Sequence, residues 1–218
     1  MEDVFRNEIK KLSSSEILVS LYDLIIQDSL EKNLRKVDGL YPFAETSDNE
    51  ESSFLSSRRL LDKGLAKRVF IIDAPNKNGF PGFDSWSDKL LKKYGISALP
   101  VDFSYSGEFN TLTEAEALIR YSIKNNLKSL YILAPRFHLL RAFMTASSVV
   151  IRENPEMNLF AYSGAEQDWN QTVIHSQGIV KGKRIDLIAG EMERIKKYQL
   201  MGDLESTEKI IEYILHRK

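Results

Sequence analysis

Five short apolar runs recur along the chain, at residues 37–41, 68–72, 98–101, 130–134 and 159–162. Their spacing is about 30 residues, the length of one strand–helix unit. The runs are rich in Val, Ile, Leu, Phe and Tyr and do not alternate with polar residues, the pattern of strands covered on both faces. Helical spacing fills the gaps. Phe54, Leu55, Leu61 and Leu65 mark one helix ending near Gly64, and Leu90, Leu91 and Tyr94 a second stopped by Gly95. Leu112, Ala115, Ile119 and Ile123 mark a third, and Leu140, Phe143, Met144 and Ile151 a fourth closed by Asn154-Pro155. Strands alternating with helices predict an α/β, Rossmann-like three-layer domain: a mostly parallel sheet of about five strands with helices on both faces.

Helical segments flank this unit. Ser13-x-x-Glu16 has the form of a capping box, and Ile17, Leu18, Leu21, Leu24 and Ile25 follow at helical spacing. Two more helices are predicted around residues 185–200 and 205–216. Between them and the last strand, residues 165–183 show no clear period and read as a lid, an irregular packing segment or a missed helix. The expected division is an N-terminal helical arm (1–36), a Rossmann-like domain (37–164) and a C-terminal helical extension packed on it (165–218).

Composition narrows the function classes. Among 218 residues, 30 basic and 31 acidic side chains nearly cancel, so no global field draws nucleic acid or an anionic membrane. Cysteine is absent, which removes disulfides, thiolate metal sites and cysteine nucleophiles. The first residues, Met1-Glu2-Asp3-Val4-Phe5, lack the basic-then-apolar pattern of a signal peptide. No apolar stretch reaches the roughly 18 residues of a membrane span. A cytoplasmic protein with a small-molecule ligand, without nucleic-acid or membrane partners, is the expectation. No metal site is expected either, since the three histidines lie far apart in sequence and no His-Glu-x-x-His is present. A P-loop, a G-x-G-x-x-G turn and a G-x-S-x-G elbow are also absent.

Ligands of open parallel sheets bind beyond the C-terminal strand ends, near the point where strand order reverses. The residues that follow each predicted strand are therefore the candidates. They are Glu45 after the first, Asp73 after the second, Asp102 after the third with Asn110-Thr111 opening the next helix, His138 and Arg141 after the fourth, and Ser163 after the fifth. His138 and Arg141 are three apart and share a face of the helix start, where the dipole favours an anion. Arg141 has the fork to grip a phosphate or carboxylate, and a neutral His138 has the chemistry of a base. Plain packing and a surface ion pair explain the same two residues. Asn110 or Thr111 can cap a helix, Thr111 with Glu114 as a capping box. Glu45, Asp48, Glu50 and Glu51 make the first turn acidic, as helix-start charges do or as a crevice wall would.

Asn110-Thr111-x-x-Glu114-Ala115, a strand, and then Ala134-Pro135-Arg136-Phe137-His138-Leu139-Leu140-Arg141-Ala142 together resemble the YdcF/SanA/ElyC-like family of largely uncharacterised bacterial proteins. Asn110, Thr111, His138, Arg141 and Ala142 match its pattern in order and spacing, and the likeness spans residues 37–162. The chain departs from it at Pro42-Phe43-Ala44-Glu45 and Asp73-Ala74-Pro75, where the family has glycine-rich turns, and at Ala134-Pro135, where it has threonine-serine. Proline removes a backbone donor, so a phosphate cradle of bare N–H groups is not expected. Carboxylates facing His138 and Arg141 across a crevice would suit an amphoteric, nucleotide-like molecule, with S-adenosylmethionine or an adenine nucleotide as the cofactor hypothesis. Two alternatives stand beside this binding protein. One is a hydrolase or transferase of a phosphorylated or glycosylated metabolite, with His138 as its base. The other is a non-catalytic interaction protein with a degenerate site.

Overall fold

The computed structural model describes residues 13–104, 108–175 and 180–217. Five strands, β1 (Gly39–Pro42), β2 (Val69–Asp73), β3 (Ala98–Asp102), β4 (Ser129–Ala134) and β5 (Asn158–Ser163), form one parallel sheet in the order β3-β2-β1-β4-β5. The chain is α/β, with seven α-helices among the described residues. Between the strands run α2 (Glu50–Asp62), α3 (Phe83–Tyr94), α4 (Thr111–Lys124) and α5 (Leu139–Glu153), flanked by α1 (Ser14–Gln27), α6 (Leu187–Met201) and α7 (Thr207–His216).

The continuous apolar runs lie where both faces are covered. Every residue of β1 is buried, as are Val69–Ile72 of β2 and Leu130–Ala134 of β4. Edge strand β3 is largely exposed and carries Pro100, whose missing N–H an edge tolerates. At the opposite edge, Asp28 Oδ2 accepts from the Ala161 N–H at 3.0 Å and Ser29 Oγ from the Ser163 N–H at 3.0 Å. Side chains following α1 thus satisfy backbone groups that would otherwise recruit another strand.

The capping box at Ser13 forms. Its N–H donates to Glu16 Oε2 at 2.7 Å and its Oγ accepts from the Glu16 N–H at 3.4 Å. Ile17, Leu21 and Ile25 bury their face of α1 in the main core, against β5 and α7. Residues 1–12 of the arm lie outside the described residues.

Among the described residues of 165–183 there is no helix, and residues 176–179 lie outside the described residues. The stretch holds an antiparallel pair, β6 (Thr172–His175) with β7 (Val180–Lys183). Arg184, 2% exposed, fastens this ribbon to the loop before α2. Its Nε donates to Asn49 Oδ1 at 3.0 Å and its Nη2 to the Asp48 carbonyl and Gln171 Oε1, both at 3.1 Å. Phe137, Val173 and Leu187, with Trp169 against them, make a small second core beneath it. No helix among the described residues is long and apolar enough to cross a membrane.

Candidate functional site

The chain steps outward from β1 through β2 to β3, then crosses back to place β4 on the other side of β1. Order therefore reverses between β1 and β4, and the loops leaving those two strands part there. A cavity of about 460 Å³ opens at this point, lined from all four of the first strand ends and from α6.

The loop after β1 supplies Glu45 and the start of α5 supplies His138, both buried. Glu45 Oε1 pairs with His138 Nδ1, while Nε2 of the same ring is buried with no partner among the described residues. A carboxylate on one imidazole nitrogen holds the ring's orientation and, when the ring is neutral, leaves the lone pair on the other nitrogen. Phe43 meets the imidazole edge-on and Phe137 stacks along it.

Arg141 is not the open anion fork expected from its place in the first turn of α5. Glu191 of α6 takes it in a two-point grip: Arg141 Nε bonds Glu191 Oε2, and Nη2 bonds Oε1 at 3.2 Å. The remaining nitrogen, Nη1, donates to Thr111 Oγ1 at 2.7 Å. Arg194 Nη1 adds a bond to Glu191 Oε1 at 2.9 Å. Burial works against the Glu191 charge, but Arg141, His138 and Arg194 outweigh it and hold the carboxyl below its ordinary range. Burial likewise opposes the Arg141 charge, and Glu191 more than restores it. This is a buried ion pair in which each partner needs the other.

Glu114 is the side chain whose role the sequence pattern misassigned. The capping box at this helix joins Asn110 to Thr113: Asn110 Oδ1 accepts from the Leu112 N–H at 2.8 Å and the Thr113 N–H at 3.1 Å, and Thr113 Oγ1 from the Asn110 N–H at 3.1 Å. Glu114 is instead buried, with Oε1 accepting from the Ala44 N–H at 2.8 Å and the Tyr41 hydroxyl at 3.1 Å. Burial pushes its carboxyl up to about 8, with nearby Glu45 adding to the rise and the two hydrogen bonds and Arg141 opposing it. At neutral pH it is therefore mostly the neutral acid. Since Oε1 accepts both bonds, Oε2 is the oxygen left to carry the proton.

Of the residues singled out from sequence, Glu45, Asn110, Thr111, His138 and Arg141 meet in this cavity. Asp73, Asp102 and Ser163 do not line it. Asp73 and Asp102 are register partners at the ends of β2 and β3, both exposed. Ser163 lies at the end of β5, beyond the reversal point, and its carbonyl accepts from Ser56 Oγ at 3.0 Å. The acidic first turn also divides. Only Glu45 reaches the cavity; Asp48 accepts from the Ile174 N–H at 2.8 Å, Glu50 pairs with Lys89, and Glu51 with Lys93 and Tyr94.

Sequence reasoning missed Asn78 and Phe80 after β2, Phe109 before α4, and Arg194, Lys197 and Tyr198 on α6. Asn78-Gly79 is a turn dipeptide, and both residues have positive φ (56° and 82°). That turn brings Phe80 back to pair with Lys77, and Asn78 Nδ2 donates to the Phe109 carbonyl at 2.6 Å. The signal on α6 was the spacing Glu191, Arg194, Lys197–Tyr198, one face of a helix. Among the described residues, no group of three or more His, Asp or Glu side chains is placed to hold a metal ion.

No protein-family model matches the chain and no curated protein matches it in sequence. Among solved structures it is similar to the U34-tRNA thiolase NcsA from Methanococcus maripaludis with its 4Fe-4S cluster, at 11% identity and a TM-score of 0.40, over 94% of this chain and 81% of that chain.

Proposed function

We propose that this chain binds a small, polar, nucleotide-like molecule in the cavity at the β1/β4 reversal. The observation that carries the proposal is the cavity's make-up at that place in the fold. α6 brings the half-buried ring of Tyr198 together with the cations Arg194 and Lys197, beside the buried Phe80 and Phe109. Aromatic faces accept a planar base, cations accept phosphate or carboxylate oxygens, and a buried acid supplies a donor. Adenine nucleotides and S-adenosylmethionine are the first ligands to try. Membership of the YdcF/SanA/ElyC-like family is part of the same proposal, supported by the convergence of Asn110, Thr111, His138 and Arg141 on one cavity.

Calorimetry with AMP, ADP, ATP and S-adenosylmethionine tests the binding. At least one should give a saturable signal, weakened about tenfold in Lys197→Ala, as loss of one charge-assisted contact implies. Lys197 is exposed on α6, so this variant keeps the fold. No saturable signal from any of the four ends the reading. An enzymatic reading is favoured by one observation, the buried Glu45–His138 pair: a carboxylate-held imidazole is the form in which histidine serves as a general base.

A further inference from the structure

We propose that Glu114 is the proton donor that completes His138 as a proton acceptor, so that the cavity hydrolyses an ester or glycosidic bond of its nucleotide-like ligand. The inference rests on the binding reading above and adds a reaction to it.

Three features of the geometry support the pair. First, His138 and Glu114 enter the same cavity from different elements, the start of α5 and the first turn of α4. Second, each is fixed on one atom and available on another. Glu45 occupies His138 Nδ1 and leaves Nε2 without a partner. Ala44 and Tyr41 occupy Glu114 Oε1 and leave Oε2 for the proton. An orphaned nitrogen in a buried ring is costly unless water or ligand bonds it. Third, the two stand among different neighbours. Carboxylates lie beside His138 on two elements, Glu45 on the β1 loop and Glu191 on α6. Glu114 has burial and the Glu45 charge against its ionisation, so it keeps its proton until a stronger base forms beside it.

The step balances with one water. The water oxygen bonds to the electrophilic carbon or phosphorus as the bond to the leaving oxygen or nitrogen breaks. His138 Nε2 takes the proton the water loses, and Glu114 gives its proton to the leaving atom. Return of a proton from His138 to Glu114 through solvent restores both groups.

The test uses the full chain. Nitrogen NMR of the histidine rings of the folded chain should show His138 with its proton on Nδ1, toward Glu45, and its lone pair on Nε2. Infrared difference spectra at neutral pH should show a protonated carboxyl band that Glu114→Gln removes and Tyr41→Phe shifts; the second variant serves if the first fails to fold. Chromatography of the four ligands above should show one cleaved, with turnover lost in His138→Ala and Glu114→Gln. A His138 ring with its proton on Nε2, or no carboxyl band assignable to Glu114, overturns the pair. Saturable binding with every ligand left intact also overturns it while leaving the binding reading in place. If none of the four binds, the binding reading fails, and an Nδ1-protonated His138 together with the Glu114 band still supports the pair.

Discussion

Glu114→Gln isolates a buried acid whose energetic cost depends on pH. Glutamine keeps a neutral acceptor for the Ala44 N–H and the Tyr41 hydroxyl and removes only the ionisation. In the folded chain the Glu114 carboxyl is pushed up to about 8 from an ordinary 4.5. Between those values the folded form holds a proton that the unfolded form has released. The resulting contribution to stability is complete below the unfolded value and is lost as pH rises through the folded one. Each unit of pH in that window costs about 1.4 kcal/mol, so the whole window costs about 5 kcal/mol at most. That is comparable to the entire stability of many domains. Urea unfolding of both proteins at intervals from about pH 5 to about pH 8 reads it out. The wild type should lose stability relative to Glu114→Gln at every step, so that the variant gains on it by several kcal/mol across the range. Every other titrating group is common to both proteins and cancels in the difference. Parallel stability curves would show that Glu114 ionises normally in the folded chain and would refute the assignment of a buried neutral acid.

Other perturbations test other parts of the molecule. Glu191→Ala leaves Arg141 buried without its counter-charge and should cost about 3–5 kcal/mol in urea unfolding. Arg184→Ala removes the bonds that fasten the β6–β7 ribbon to the loop before α2 and should cost about 2–3 kcal/mol by the same measurement, with faster proteolysis near Trp169. Gly164→Ala places a Cβ against Ser52 Oγ, 2.8 Å from the Ala134 carbonyl and 3.1 Å from Pro135 Cα, so the ends of β4 and β5 must part; a loss of about 1–3 kcal/mol in thermal or urea unfolding is expected.

The sheet was legible because its strands are buried on both faces, which leaves unbroken apolar runs of the right length at βα spacing. All five runs became strands, with ends shifted by a residue or two. Strand β1 begins at Gly39, because Asp38 turns its carboxylate to the N–H groups of Lys128 and Ser129, at 2.6 and 2.9 Å. The β6–β7 ribbon was not legible: four residues a side, with Lys181, Gly182 and Lys183 in one of them, give no period to read, and its anchor is Arg184, outside both strands. The candidate cavity was legible in part. Short-range spacing pointed to His138 and Arg141, and strand-end logic to Glu45. The partners that decide their chemistry were hidden by distance along the chain: Glu191 is 50 residues from Arg141, and Glu45 is 93 from His138. Glu114 was hidden differently, by a local pattern that two helix-start arrangements share, one with the glutamate outside and one with it in the core.

The grip of Glu191 on Arg141 has a consequence for how the molecule assembles. A chain ending after β5 would carry every strand of the sheet, yet it would strip the α6 wall from the cavity and leave Arg141 facing water with Thr111 and without Glu191. The last third of the polypeptide is thus more than a door hung on a finished frame. The helix that closes the chamber also brings the carboxylate that lets a guanidinium stay inside it, so cover and counter-charge arrive together.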